Sequence, residues 1–550
     1  MAGQEFDFVV VGAGSSGCVL ANRLSADPQA QVAVIEAGPR DSNFWIHLPI
    51  GYGRTMWDPK VNWKFQTEPE PNMAGRQVYW PRGRVLGGSS SINGMIFQRG
   101  NPLDFERWAT VPGLERWDYA HCLPYFKRME TCLAGSDEWR GSEGPLVLER
   151  GPATNPLFGA FLEAVRQAGY PLTDDVNGYR QEGFAHFDRN IHRGRRLSAA
   201  RAYLYPVMKR PNLEVRCRTL VSRVLFEGTR ATGVEIVGKR GAEVVRANEV
   251  ILCGGAINSP QLLQLSGVGN ARELSALGID VVHDLPGVGE NLQDHLEVYV
   301  QYACTKPVSM QPALRFRNRP WIGFQWLFLR KGPGATNHFE AGGFIRSNDE
   351  VAYPNLMFHF LPLAIRYDGS QPEGGHGYQV HVGPMYSDAR GSVKITSRDP
   401  RAHPALRFNY LSTDQDRREW VEAIRCARAI LTQPAFDPFN GGETSPGPSV
   451  ATDEEILRWV ARDGETALHP SCTCRLGSDE QSVVDPDSMR VHGVDGLRVV
   501  DASVFPFVTN GNIYAPTMMV AEKAADLILG NAPLPPSGAP FYRHETATPL

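Results

Sequence analysis

Near the start of the chain, Gly12-Ala13-Gly14-Ser15-Ser16-Gly17 stands between an apolar run at 8–11 (FVVV) and a segment carrying Val19, Leu20 and Leu24. Asp27-Pro28 ends that segment, and a second apolar run at 32–35 closes on Glu36-Ala37. Each residue type suits one chemical task. Gly12 permits a tight turn, and Gly14 lets bare backbone approach a pyrophosphate. The anion then sits at the N-terminus of the following helix, beside Ser15 and Ser16, where unpaired N–H groups and the helix dipole favour it. Gly17 lets the helix pack closely on the strand, and Glu36 can accept hydrogen bonds from a ribose. The spacing predicts dinucleotide binding and does not separate NAD from FAD.

Two further glycine-rich blocks follow. Gly83-Arg84-Val85-Leu86-Gly87-Gly88-Ser89-Ser90-Ser91-Ile92-Asn93-Gly94 offers bare backbone and hydroxyls suited to a phosphate or a ring. Gly254 and Gly255 follow the apolar run 250–253 and open the stretch AINSPQLLQLSGVG. Far along the chain, His469 lies in ALHPSCTCRLG, and histidine has a side chain whose ordinary pKa suits a general base. Cys472 and Cys474 are too close for a simple bridge, and no second Cys/His pair completes a zinc set, so no metal is expected.

These groups need elements to hold them. The first block is a βαβ unit, so the fold class is α/β. Residues 212–226 (NLEVRCRTLVSRVLF) read as two more strands, and 497–501 as another. Pro516 in the first turn and Gly530 just past the end mark a helix that closes at Leu529. From 296 to 463 the pattern changes to strand-like alternation mixed with helices at 414–433 and 453–462, which indicates a second domain. The irregular, tryptophan-rich stretch from 37 to 80 suggests a lid or an extended arm. A chain of 550 residues exceeds one ordinary core. With 42% hydrophobic and 21% charged residues it is a globular protein, and a net charge of −4 gives no nucleic-acid footprint. The nine scattered cysteines suit a reducing compartment. No apolar run is long enough to span a bilayer, and the first residues lack the pattern of a secretory signal. A cytoplasmic location is expected. Trp321 to Leu329 is strongly apolar and is flanked by Arg315, Arg317, Arg319, Arg330 and Lys331. Such a segment can lie on a membrane surface, here peripherally on the inner membrane, or pack as a core or subunit-interface helix in a homo-oligomer.

The blocks at 83–94 and 255–269 resemble the two signatures of the glucose–methanol–choline (GMC) oxidoreductases, and with the βαβ unit the resemblance spans residues 6–530. It implies an FAD-binding Rossmann-like domain from 5–155, 195–295 and 464–530. A second, α+β substrate-binding domain would come from 156–194 and 296–463, with 531–550 as a loose tail. It settles the cofactor as FAD. Contacts are implied for Gly12, Gly14, Ser15, Ser16, Gly17, Glu36, Ala37, Val85, Gly88, Ser89, Asn93, Gly94, the main chain of Val221, Asp501, Ala502, Asn512 and Ile513. Some relatives attach FAD through a His just before the signature Asn. Ile92 stands there, so FAD is expected to bind non-covalently. Within the family pattern His469 is the base and Asn512 its polar partner, with Asn510 the rival for the second place. Asp294 and His295 are read as structural.

The runs at 337–346, 358–365 and 379–385 most resemble the choline-oxidising branch, as does Cys472 where most of the family has Gly. The implied reaction is oxidation of a primary alcohol, choline above all, by hydride transfer to flavin N5. The acceptor of the electrons would be oxygen, a quinone or an electron-transfer protein. Glu340 is the candidate carboxylate for a quaternary ammonium, with Trp63, Phe339 and Tyr378 as cage members. The alternatives are an aliphatic or aromatic alcohol in the same family, or a GMC-fold lyase or decarboxylase.

Overall fold

The structure is a computed structural model that describes residues 5–238, 241–366, 369 and 375–545. Residues 1–4 and 546–550, on which part of the signal and tail expectations fall, lie outside it. The first motif folds as its spacing predicts. Strands Glu5–Val11 and Val32–Glu36 pair in parallel, with helix Ser15–Leu24 between them. Val9, Val10, Val32 and Val34 are fully buried because helices cover such a sheet, so the strands read as apolar runs rather than alternations.

Five more strands complete the sheet. Its order is Leu213–Cys217, Val32–Glu36, Glu5–Val11, Gly241–Leu252, Arg230–Gly238 and Leu220–Glu227. Leu497–Val499 pairs in parallel with the last residues of Gly241–Leu252. The C-terminal block therefore returns to the first sheet. Val11, Glu36, Leu252 and Val499 all end at one edge, where α/β folds bind ligands. Helix Tyr514–Leu529 packs on Ser15–Leu24 and stops at Gly530, which takes the left-handed conformation (φ 68°) that ends helices.

The second sheet is antiparallel, in the order Asn440–Ser445, Leu296–Cys304, Gly377–Pro384, Leu356–Leu361, Ala341–Ile345 and Gly183–His186. Helices Pro156–Gln167 and Asp414–Leu431 pack against it. Its register sets His359 directly opposite His381. The stretch from 37 to 80 is not a free lid: short helical turns and the hairpin Phe65–Gln66/Tyr79–Trp80 fold down, and Tyr52, Met56 and Trp63 join a cavity wall.

The tail expected to be loose is strapped to the body over 534–543. Leu534 N donates to the Tyr125 hydroxyl, Trp139 Nε1 donates to the Pro540 carbonyl at 2.7 Å, and Phe541 packs edge-on against Tyr119. Proline excludes helix and sheet there, yet ring packing and single hydrogen bonds still order the segment. All nine cysteines are free. Among the described residues no helix is long and apolar enough to cross a membrane, and no group of three or more His, Cys, Asp or Glu is placed to hold a metal.

Candidate active site

One long cavity runs between the two sheets, walled by residues from both ends of the chain. At one end lie Gly12, Gly14, Ser15, Ser16, Glu36 and Ala37. Two helix N-termini, at Ser15 and Tyr514, open on it with no side-chain cap, whereas helices such as those starting at Pro102 and Asp453 are capped by Asn101 and Thr452. Uncapped donors facing a cavity suit an anionic ligand. Glu36 is held by the backbone N–H groups of Ala13 (2.9 Å) and Gly38 (2.8 Å). Burial nevertheless pushes its carboxyl up to about 7, so further donors from a ribose would be favourable. A Cβ on Gly12 or Gly17 would strike the carbonyls of Cys253 and Gly12, while one on Gly14 would meet only ordinary contacts at 3.8 Å and beyond and would occupy the cavity side. The cradle thus fits an adenosine diphosphate.

The walls continue through Gly88, Ser89, Asn93, Gly94, Val221, Asp501, Ala502, Asn512 and Ile513. Asp501 accepts from Gly255 N and Ser259 Oγ, which leaves it at the cavity wall and anchored to the helix Gly255–Leu265. Arg196, a buried residue outside the expected set, donates to the carbonyls of Ser90 and Asn93 and to Asn93 Oδ1, and so fixes the glycine-rich loop. Two expected contacts are absent from the wall. Val85 packs in a small apolar cluster with Ile46, Val61 and Ile92, and its carbonyl accepts from Gly88 N. Gly17 faces the strand, where its missing side chain admits the Gly12 carbonyl.

At the other end, His469 and Asn512 meet: Asn512 Nδ2 donates to His469 Nε2 at 2.9 Å. Asn510, the rival, is fully buried away from the cavity, with its N–H on Asp104 and its amide on the Pro354 carbonyl. His469 Nδ1 lies 2.9 Å from His295 Nδ1, and His295 Nε2 lies 3.1 Å from the Met385 carbonyl. A carbonyl can only accept, so His295 carries its proton on Nε2 and presents a bare Nδ1. His469 must then hold its own proton on Nδ1 and keep a lone pair on Nε2. The Asn512 amide requires the same tautomer from the opposite side. Both rings are neutral: burial, with His295, His359 and Arg82 adding to it, holds His469 well below the ordinary imidazole value, and burial takes His295 down to about 4. Asp294 accepts the backbone N–H of His469 at 2.8 Å as well as the Tyr410 and Thr466 hydroxyls. Asp294 and His295, read from the sequence as structural, both hold His469 in place.

The expected substrate carboxylate is elsewhere. Glu340 is buried outside the wall, bonded to Arg189 (3.2 Å), to Ala153 N (2.8 Å) and to the Thr336 hydroxyl. Such a carboxylate is already neutralised. Tyr378 likewise stacks in the core between Tyr302 and Phe436. Trp63 and Phe339 do line the cavity. At the His469 end the carboxylate in the wall is Glu297, with His359 and His381 beside it; His381 Nδ1 is 3.1 Å from Glu297. Burial holds His359 down to about 4. The sequence carried a signal for these three: each is a charged or titratable residue set between two apolar neighbours in a strand, in LEV, FHF and VHV.

The family pattern described as GMC oxidoreductase matches residues 6–297 and 387–521. The chain belongs to this family and is an FAD-dependent oxidoreductase acting on CH–OH donors. Two similar relatives are the oxygen-dependent choline dehydrogenase of Staphylococcus saprophyticus, 59% identical over 98% of each chain, and that of Staphylococcus aureus, 58% identical over 98% of this chain and 96% of the other. Among solved structures, the pyridoxine 4-oxidase of Mesorbium loti superposes with a TM-score of 0.87 at 32% identity, covering 96% of this chain and all of the other. The formate oxidase of Aspergillus oryzae, in a structure concerned with FAD modification, gives 0.90 at 27% identity over 96% and 99%.

Proposed function

We propose that this protein oxidises choline to betaine aldehyde, with FAD bound non-covalently and oxygen as one acceptor of the electrons. Bound in the cradle, FAD supplies the hydride acceptor. Everything else falls to the chain. A substrate hydroxyl that inserts between His469 and Asn512 takes over the Asn512 amide N–H on its oxygen and gives its proton to Nε2, the one lone pair of the ring. The imidazolium so formed keeps its Nδ1–H on His295. A positioned base of this kind contributes roughly 10²–10⁴-fold. The helix N-terminus at Tyr514, which opens on the cavity, would offer backbone donors to the negative charge of a reduced flavin. Non-covalent binding is supported by Ile92, which lines the cavity and has no nucleophile.

The observation that carries the substrate is Glu297. A buried carboxylate sharing one cavity with the base, and with Phe339, Trp63 and Tyr52 in the walls, is a recognition set for a quaternary ammonium. The names of the relatives point to the same alcohol and to oxygen. A lyase or decarboxylase would not need a tautomer-locked base with an amide partner. Anaerobic mixing of the yellow holoenzyme with choline and, separately, with 1-hexanol tests the reading: choline should bleach the flavin and hexanol should not. Bleaching by hexanol alone would overturn it. Reoxidation of the bleached enzyme with air or with a soluble quinone then identifies the acceptor.

A further inference from the structure

The described residues expose a group of large apolar side chains on one arm. Phe316 is 81% exposed, Phe328 67% and Trp321 59%, and Phe324, Leu327 and Leu329 are exposed with them. The arm is the helix Arg319–Phe324 continued by a π-helical turn, Gln325–Leu329. Ile322 and Trp326, four residues apart, face inward; Trp326 packs edge-on against Phe44 and donates Nε1–H to the Gly194 carbonyl at 2.7 Å. Trp321, Phe324 and Phe328 therefore form a row on the outer face, with ring centroids 5.4 and 4.9 Å apart. The wider π turn brings Leu327, Phe328 and Leu329 outward together. Inward residues anchor the arm firmly, so its outer face is a fixed feature of the surface.

Along the segment that carries this face the charge is of one sign. Arg315, Arg317, Arg319, Arg330 and Lys331 flank it, and from Val298 to Phe339 the sequence contains no Asp or Glu. Arg330 lies close enough to Arg195 to disfavour its charge, which Asp41 partly offsets. A second copy of the same face would set these cations against themselves, which disfavours a two-fold interface built here. An anionic lipid surface satisfies both halves of the pattern: aromatic and aliphatic side chains enter the acyl boundary while arginines stay at the headgroups.

We propose that residues 315–331 form a docking face for an anionic bilayer. The arm also rests on the cavity wall. Trp326 and Gly334 pack against the segment 44–48, which leads into Tyr52 and Met56. Docking would therefore hold this side of the cavity at the membrane. The proposal is independent of which alcohol is oxidised.

Co-sedimentation of the full-length holoenzyme with phosphatidylglycerol-containing vesicles and with pure phosphatidylcholine vesicles tests it. Binding is expected to the anionic vesicles only, to weaken with salt, and to shift the tryptophan emission to the blue. Trp321→Ser/Phe328→Ser and Arg315→Glu/Arg317→Glu should each reduce the affinity by about tenfold or more, with choline-driven flavin reduction unchanged. Equal binding by the parent and both double variants would overturn the proposal, as would no binding to either vesicle. A parent dimer that the serine variant converts to monomer, without any vesicle binding, would instead assign the face to a second copy of the chain.

Discussion

Replacing Glu297 by Gln removes one negative charge from the cavity and almost nothing else, because the two side chains are isosteric. Glu297 is 7% exposed, so water does little to screen it. A quaternary nitrogen is kept about 5 Å from a carboxylate by its methyl groups. At an effective dielectric of about 20 the attraction at that distance is about 3 kcal/mol. Part of it is already shared with His381, 3.1 Å away, and the ring of Phe339 remains after substitution. A net loss of about 2–3 kcal/mol follows, so KM for choline should rise about 30–150-fold. The maximal rate of flavin reduction should fall far less, since the base and Asn512 are untouched. The control is 3,3-dimethylbutan-1-ol, in which carbon replaces the charged nitrogen at nearly the same shape. Its KM should be the same in the parent and in Glu297→Gln. The assay is anaerobic stopped-flow reduction over a range of both alcohols. Equal weakening of the charged and the neutral alcohol, or no weakening of choline, would refute the argument that charge selects the substrate.

Other substitutions separate roles that the sequence alone runs together. Glu340→Gln should leave the choline KM unchanged while lowering the melting temperature, because breaking a buried ion pair costs about 3–5 kcal/mol; a raised KM with unchanged stability would return Glu340 to the substrate site. His295→Gln should slow flavin reduction by roughly 10–10³-fold at unchanged choline affinity, since His469 loses the acceptor that fixes its tautomer; rapid reduction would remove that role. Gly17→Ala should impair folding and Gly14→Ala should fold but bind FAD weakly, as measured by circular dichroism and the flavin-to-protein absorbance ratio; the reverse pattern would contradict the cradle geometry. His469 must be neutral to accept a proton, and burial holds it well below the ordinary value. The reduction rate should therefore rise with pH to a plateau already reached at about pH 6.5; a rate still climbing well above neutrality would place the base in a different environment.

Much of the fold was legible because local signals agreed. The glycine spacing at 12–17, the apolar runs at 8–11 and 32–35, and the Pro516 and Gly530 boundary marks each specify an element without tertiary help. The pairing of His469 with Asn512 followed from the family resemblance, and the structure brings the two within 2.9 Å while sending Asn510 to Asp104. The substrate end was not legible. Glu340 and Glu297 are both single acids near apolar strands, and what distinguishes them is a partner distant in sequence. Arg189, 151 residues away, claims Glu340, while sheet register turns Glu297, His359 and His381 into the same cavity. The order of the tail is hidden for a related reason: it comes from Tyr119, Tyr125 and Trp139, which no local pattern near 531–545 announces.

The central claim is that His469, held by His295 as the Nδ1–H tautomer, takes the alcohol proton at Nε2. Anaerobic reduction of His469→Ala by choline, compared with the parent, tests it most directly. The variant should remain yellow with a full complement of FAD, because the adenosine cradle lies at the other end of the cavity, and its flavin should be reduced about 10²–10⁴-fold more slowly. Reduction at the parent's rate would show that another group removes the proton, and the account of the site would fail.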